Sequence, residues 1–147
     1  MDKERMAQLR ESFHRSKIMT LFKAVPTGMA KGYFEISVPK QDFMLRPAGM
    51  FNGSTMATLV DVSAGYVAAS AKPSESYLTT VELKVNYLTP AVGEMLVARA
   101  QVVKNGRILM VVRSDIFTVS NGKETLVATS LVTLMRLALK APDVQID

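Results

Sequence analysis

In the run from Gly49 to Ala71, GMFNGSTMATLVDVSAGYVAASA, small and apolar residues surround a single charge, Asp61. No other Asp, Glu, Lys or Arg lies between Arg46 and Lys72. Taking an unpaired carboxylate out of water costs several kcal/mol, or raises its pKa until the group is neutral. An acid in such a run therefore implies a hidden partner or a chemical task, and a carboxylate can act as general base toward water or as nucleophile. Other catalytic sets are poorly supplied. Cysteine is absent, which removes thiolate nucleophiles, disulfides and cysteine metal sites, and no metal site is expected. The single histidine, His14, adjoins Phe13 in a charged amphipathic stretch and reads as a partly exposed helix residue. Neither a Ser-His-Asp nor a Cys-His arrangement fits that supply.

The elements that must position Asp61 can be read from periodicity and turn signals. Residues 2–23 predict one amphipathic helix, with Met6, Leu9 and Phe13 near helical spacing, closed by Pro26 and Gly28. Gly32 to Val38 alternates like a strand, and residues 39–49, with Pro39, Pro47 and Gly49, read as a loop. A buried central helix follows, starting near Gly53 or Ser54 with Asn52, Ser54 or Thr55 as N-cap, and ending around Ser70 to Pro73. Its Gly65 and alanines give it a thin surface suited to lying on a sheet. After Pro73 the chain reads as strands: Tyr77 to Leu88, Glu94 to Lys104, Arg107 to Ser120 and Lys123 to about Leu137, forming a meander. Asn105-Gly106 and Asn121-Gly122 are both strong two-residue hairpin signals, since both residue types tolerate positive φ. The sum is an α+β domain, one long helix on a five-stranded antiparallel sheet.

With 147 residues, the chain has the length of one domain that buries roughly 70% of its unfolded surface. The N-terminus is too charged for a secretory apolar region and no apolar run approaches a membrane span, so a cytoplasmic location is expected. The net charge of +5 suits an anionic small ligand, such as one bearing phosphates, or simply a solvated basic surface. Nucleic acid is not an expected partner, because the basic residues are dispersed and lack interleaved aromatics. No membrane partner is expected either.

The order of elements and the central run resemble the hotdog-fold thioesterases, in particular the phenylacetate-pathway type. That family's signature is similar to G-x-x-H-G-G-x-x-x-x-L-x-D, matched here by Gly49, Met50, Phe51, Asn52, Gly53, Ser54, Leu59 and Asp61. Downstream, Tyr87-Leu88-Thr89-Pro90-Ala91 resembles its "Y-L-x-P-A" turn, and Lys104-Asn105-Gly106-Arg107 its next hairpin. The likeness runs from about Gly28 to Arg136. It implies an N-terminal helix over 1–25, a hotdog domain over 26–138 and a C-terminal tail over 139–147. The chain departs from the pattern at Asn52, where the family has histidine, and at Ser54, where it has glycine. Asparagine can donate a hydrogen bond but cannot exchange a proton near neutral pH.

The resemblance implies hydrolysis of an acyl- or aroyl-coenzyme A thioester. Asp61 would be general base or nucleophile, the Gly53 N–H would polarise the carbonyl, Asn52 would be a second donor, and Thr80 would orient the water. It places the coenzyme A near Thr80, Glu82, Tyr87 and the hairpin Lys104, Asn105, Gly106, Arg107, Ile108 and Leu109, where Lys104 and Arg107 have the charge for phosphates or are solvated turn cations. Arg46, just before the motif, suits phosphate or solvent. No separate cofactor is implied, coenzyme A arriving as part of the substrate. Gly53 and Asp61 are eight residues apart, about 12 Å along a helix, too far to serve one carbonyl. The site is therefore expected between the chains of a homodimer, as in the family, where dimers often pair again. Met50, Phe51 and Met56 suit an acyl pocket or the core. An acyl-CoA-binding hotdog protein with little turnover is the alternative. A hotdog dehydratase would need a histidine that His14 is misplaced to supply.

Overall fold

A computed structural model describes residues 1–73 and 77–137. Helix α1, Lys3–Arg15, is followed by α2, Lys17–Leu21, then strands β1, Val25–Ala30, and β2, Tyr33–Pro39. A short 3-10 turn over Asp42–Met44 leads to the central helix α3, Gly53–Ser70. Four strands complete the domain: β3 Tyr77–Tyr87, β4 Met95–Asn105, β5 Leu109–Ser120 and β6 Lys123–Leu137. The tail expected over 139–147 lies outside the described residues.

The first helix is shorter than the periodicity predicts. Ser16 is extended (φ −67°, ψ 111°), and its hydroxyl accepts from the Met19 N–H while its own N–H donates to Phe13 O. One residue thus ends α1 and caps α2, which is the competing local bond that makes serine a helix boundary. Pro26 and Gly28 do not merely end the helix. They lie in β1, an edge strand with an irregularity between them, where proline's missing N–H faces no neighbour. The sheet accordingly has six strands rather than five.

All strand pairs are antiparallel, in the order β1-β2-β4-β5-β6-β3. The expected four-strand meander is therefore corrected: β4, β5 and β6 are neighbours in sequence and space, but β3 crosses to the far edge and pairs with β6. Of the two Asn-Gly signals, Asn121-Gly122 forms the tight turn, both residues at positive φ (50° and 74°) between the paired Ser120 and Lys123. Asn105 and Gly106 do not take positive φ. Asn105 instead pairs with Met110 and sends Nδ2 to Ala71 O (3.4 Å), so the loop is wider and is held against the end of α3.

The sheet wraps α3, which packs on β2 to β6. Its Met56, Leu59, Val60, Ala64 and Val67 meet Phe34, Ile36, Leu96, Ala98, Val112, Ile116, Val132 and Leu134 from the sheet's inner face, all buried. Two buried hydroxyls in that interface satisfy each other, Ser63 on α3 and Ser114 on β5 (2.8 Å). From α1, Phe13 covers the remaining flank against Tyr66 and Phe34. This is the helix-in-sheet architecture that the hotdog resemblance implies.

Candidate active site on the central helix

Asp61 is exposed in the single chain, not buried as the apolar run predicts. The reason is geometric. Positions 54, 58, 61 and 65 share one side of α3, and Ser54, Thr58, Asp61 and Gly65 form a narrow stripe turned away from the sheet. Small residues there read as core from composition, yet they line an open flank between α3 and β3.

Beside Asp61 stands Thr80, whose Oγ1 donates to Asp61 Oδ1 at 2.7 Å. Strict alternation places Thr80 with Glu82 and Lys84 on the sheet's outer face. The register shift between Thr80 and Glu82 changes that. Thr80 pairs with the buried Leu134, and Leu83, Val85 and Tyr87 pair with Val132, Ser130 and Ala128, so these four share the inner face. Glu82 pairs with Thr133 on the other face. A bulge beside a functional carboxylate re-aims one side chain while the rest of the strand keeps its pattern.

The start of α3 is built differently. Asn52 is its N-cap: Oδ1 accepts from the Thr55 N–H and from Ser54 Oγ, both at 2.8 Å. Its Nδ2 reaches Phe43 O at 3.4 Å. Gly53 is the first residue of the helix, where a backbone N–H has no intrahelical acceptor and faces the positive end of the dipole. Tyr87, from the end of β3, donates its hydroxyl to Gly53 O at 2.8 Å. Next to these groups opens a cleft of about 460 Å³, walled by Arg46, Met50, Phe51, Gly53, Met56, Tyr87 and the Leu88–Ala91 turn. Arg46 is its one charged wall residue. Of the acyl-pocket candidates, Phe51 and Met56 are buried and Met50 half-buried, all three along this cleft.

The hairpin lies elsewhere. Lys104, Asn105, Arg107, Ile108 and Leu109 are exposed and Gly106 half-buried. The Arg136 N–H donates to Ile108 O (2.7 Å), and Lys72 Nζ to Gly106 O (3.4 Å). The first bond ties the loop to β6 and the second to the residues just past the C-terminal end of α3. The helix has 18 residues, so it separates the hairpin from Gly53 by about 27 Å. One chain therefore brings together Asp61 with Thr80, and Gly53 with Asn52, Arg46 and Tyr87, but not these two sets with each other or with the hairpin. Two features escape the sequence. One is the contact of Tyr87 with Gly53. The other is Lys72, 5% exposed, whose ammonium pKa is lowered by burial and by the nearby Arg136 charge. A lysine in the first residues after a helix gives no warning of burial.

Fold and sites of this kind define a hotdog protein with a carboxylate on its central helix. The family model of the thioesterase superfamily matches residues 48–125, more than half of the chain. A thioesterase family protein from Silicibacter pomeroyi has a solved structure that superposes with a TM-score of 0.88 at 33% identity, covering 92% of this chain and 99% of that one. The chain belongs to the thioesterase superfamily. The PaaI protein of the E. coli phenylacetic acid degradation operon shares the fold (TM-score 0.80, 18% identity, 92% and 95% covered). A curated protein of Halobacterium salinarum, provisionally described as an esterase, is 38% identical over 72 residues, 48% of this chain and 47% of that protein. This chain thus spans about half the length of that curated relative.

Proposed function

We propose that the protein hydrolyses acyl- or aroyl-coenzyme A thioesters at a site shared by two chains. The observation that carries this is the separation of the machinery: a fixed, exposed carboxylate midway along α3, and at the start of the same helix N–H donors that have no intrahelical carbonyl to meet. A thioester carbonyl needs both within about 3 Å. An isologous dimer supplies Asp61 and Thr80 from one chain and Gly53 and Asn52 from the other. The donor from Thr80 holds one carboxylate oxygen and leaves the second for water. Asp61 takes a proton from that water as its oxygen adds to the carbonyl carbon, and the Gly53 N–H and Asn52 Nδ2 meet the oxyanion. The tetrahedral intermediate expels the coenzyme A thiolate, which recovers the proton from Asp61. In the nucleophilic variant the carboxylate itself adds, and the coenzyme A thiolate leaves to give a mixed anhydride. Water then hydrolyses that anhydride to the free acid and the Asp61 carboxylate, the released proton going to the thiolate.

The dimer surface is supported by β3. It is an edge strand of 11 residues, with Val81, Leu83 and Tyr87 exposed (50%, 37% and 51%). Leu83 and Tyr87 belong to the inner face, so their exposure marks a core surface with nothing beyond the edge among the described residues. Long apolar edges of this kind are covered in natural proteins. A second β3 would continue the sheet, and a pairing of dimers would follow the family. Arg46 and the hairpin cations Lys104 and Arg107 would meet coenzyme A, with the acyl group in the cleft beside Gly53. No further cofactor is needed. A cytoplasmic location belongs to the same proposal.

The test is thiol release from a panel of acyl-CoAs by the wild type and by Asp61→Asn. Hydrolysis that falls about 10³-fold in the variant is expected, the scale of a lost general base. Rates no faster than the uncatalysed reaction in both would leave an acyl-CoA-binding protein, and equal rates above it would remove Asp61 from the chemistry.

A further inference from the structure

We propose that Tyr87 is a positioning residue, which fixes the first peptide units of α3 so that the Gly53 N–H is presented to the cleft. This rests on the thioesterase function proposed above. Three contacts carry it. The Tyr87 hydroxyl donates to Gly53 O at 2.8 Å. Its ring lies against the Gly53 Cα so closely that a Cβ at position 53 would sit 3.1 Å from Cζ and 3.2 Å from Oη. The residue before Gly53, Asn52, is tied into the helix by its own cap bond to Thr55 N. Gly53 is thus gripped on its carbonyl side and on its Cα, while its N–H points free of the helix.

Such a grip matters at this position for a physical reason. Glycine has the widest φ/ψ freedom of any residue, and the first turn of a helix is where backbone order is weakest. A lone glycine there would present its N–H over a range of directions. Oxyanion stabilisation depends on donors held in place before charge develops. Tyr87 comes from the end of β3, anchored by its pairing with the buried Ala128 on β6, so the sheet itself sets the glycine's direction. The tyrosine, 51% open in the single chain, is also a strut from sheet to helix tip. Tyr87 is consequently an influence on turnover rather than on affinity.

Tyr87→Phe in the full-length chain tests this by two readouts. With an acyl-CoA that the wild type hydrolyses, kcat falls about tenfold or more and KM stays within about twofold, less than the loss of a whole donor. In a ¹H–¹⁵N spectrum without substrate, the Gly53 amide shifts and its hydrogen exchange accelerates. Gly53→Ala pushes on the same ring, and the double variant loses no more than the worse single one, because both changes break one contact. An unmoved Gly53 amide, a raised KM at unchanged kcat, or additive losses would overturn the assignment. If the wild type cleaves no acyl-CoA at all, the thioesterase function fails, and the Gly53 amide still decides whether Tyr87 holds it.

Discussion

Asn52 stands where the family pattern carries histidine, and the structure gives its amide two ends with different work. Oδ1 is the helix cap, bonded to Thr55 N and Ser54 Oγ at 2.8 Å, while Nδ2 has only the long 3.4 Å contact to Phe43 O. The cap orients the amide so that its N–H side faces away from the helix, which suits the second oxyanion donor proposed above. Two substitutions separate the duties. Asn52→Ala removes both, and should cost about 1 kcal/mol of stability through the cap. Asn52→Asp keeps the cap but removes the donor and adds a negative charge beside the oxyanion. Its melting temperature should match the wild type within a degree or two while kcat drops about 10²-fold, the scale of one lost donor. Full activity in Asn52→Asp would show the residue to be a cap and nothing more.

At the scale of elements, the outer face of the sheet is stapled by Arg99. From β4 it reaches Glu35 on β2 (2.7 Å) and Glu124 on β6 (2.7 Å to each oxygen), lying 4.8 Å over the Phe117 ring of β5. Burial pushes the Glu35 carboxyl up, but donation from Arg99, Thr27 and Tyr33 outweighs it, and the net pKa is below the ordinary 4.5. Glu124 is also lowered, chiefly by Arg99. Carboxylates with depressed folded pKa values stabilise the fold fully above 4.5 and lose that contribution as pH falls through the lower folded values. Thermal melts from pH 6 down to pH 3 should therefore fall more steeply for the wild type than for Arg99→Met; parallel slopes would deny the staple its role. None of this network was legible in the sequence, because pairing across three strands depends on register. What is legible is what local chemistry dictates: a helix cap within Asn52 to Thr55, the tight turn at Asn121-Gly122, and the long strands with their alternation. Bulges and crossovers are not. The shift at Thr80 inverts that residue's face with no change in composition, and the placement of β3 next to β6 depends on α3 spanning the sheet. Pro26 and Gly28 looked like helix punctuation, since an edge strand tolerates the same residues. Asp61 reads as buried from the sequence because the stripe it shares with Ser54, Thr58 and Gly65 is small and otherwise uncharged.

For the whole molecule, the open flank of α3 and the bare edge of β3 are one surface, and the proposed chemistry requires a second copy to close it. That requirement has a sharper consequence than oligomeric state. If Asp61 of one chain serves Gly53 of the other, every site of the Asp61→Asn and Gly53→Ala homodimers carries a defect, yet a mixed dimer contains one site with both defects and one with neither. Unfolding and refolding the two variants together in equal amounts gives mixed dimers as about half the population, each with one of two sites intact, so about a quarter of wild-type activity should return. A site contained within one chain would return none, because every chain in the mixture carries a defect. Leu83→Glu gives the control: a charge on the edge strand's inner face should keep the chains apart, seen as a monomer by sedimentation, and abolish both activity and complementation. A monomeric Leu83→Glu with undiminished turnover would place the whole reaction inside a single chain, and the 12 Å between helix tip and carboxylate would have to be bridged some other way.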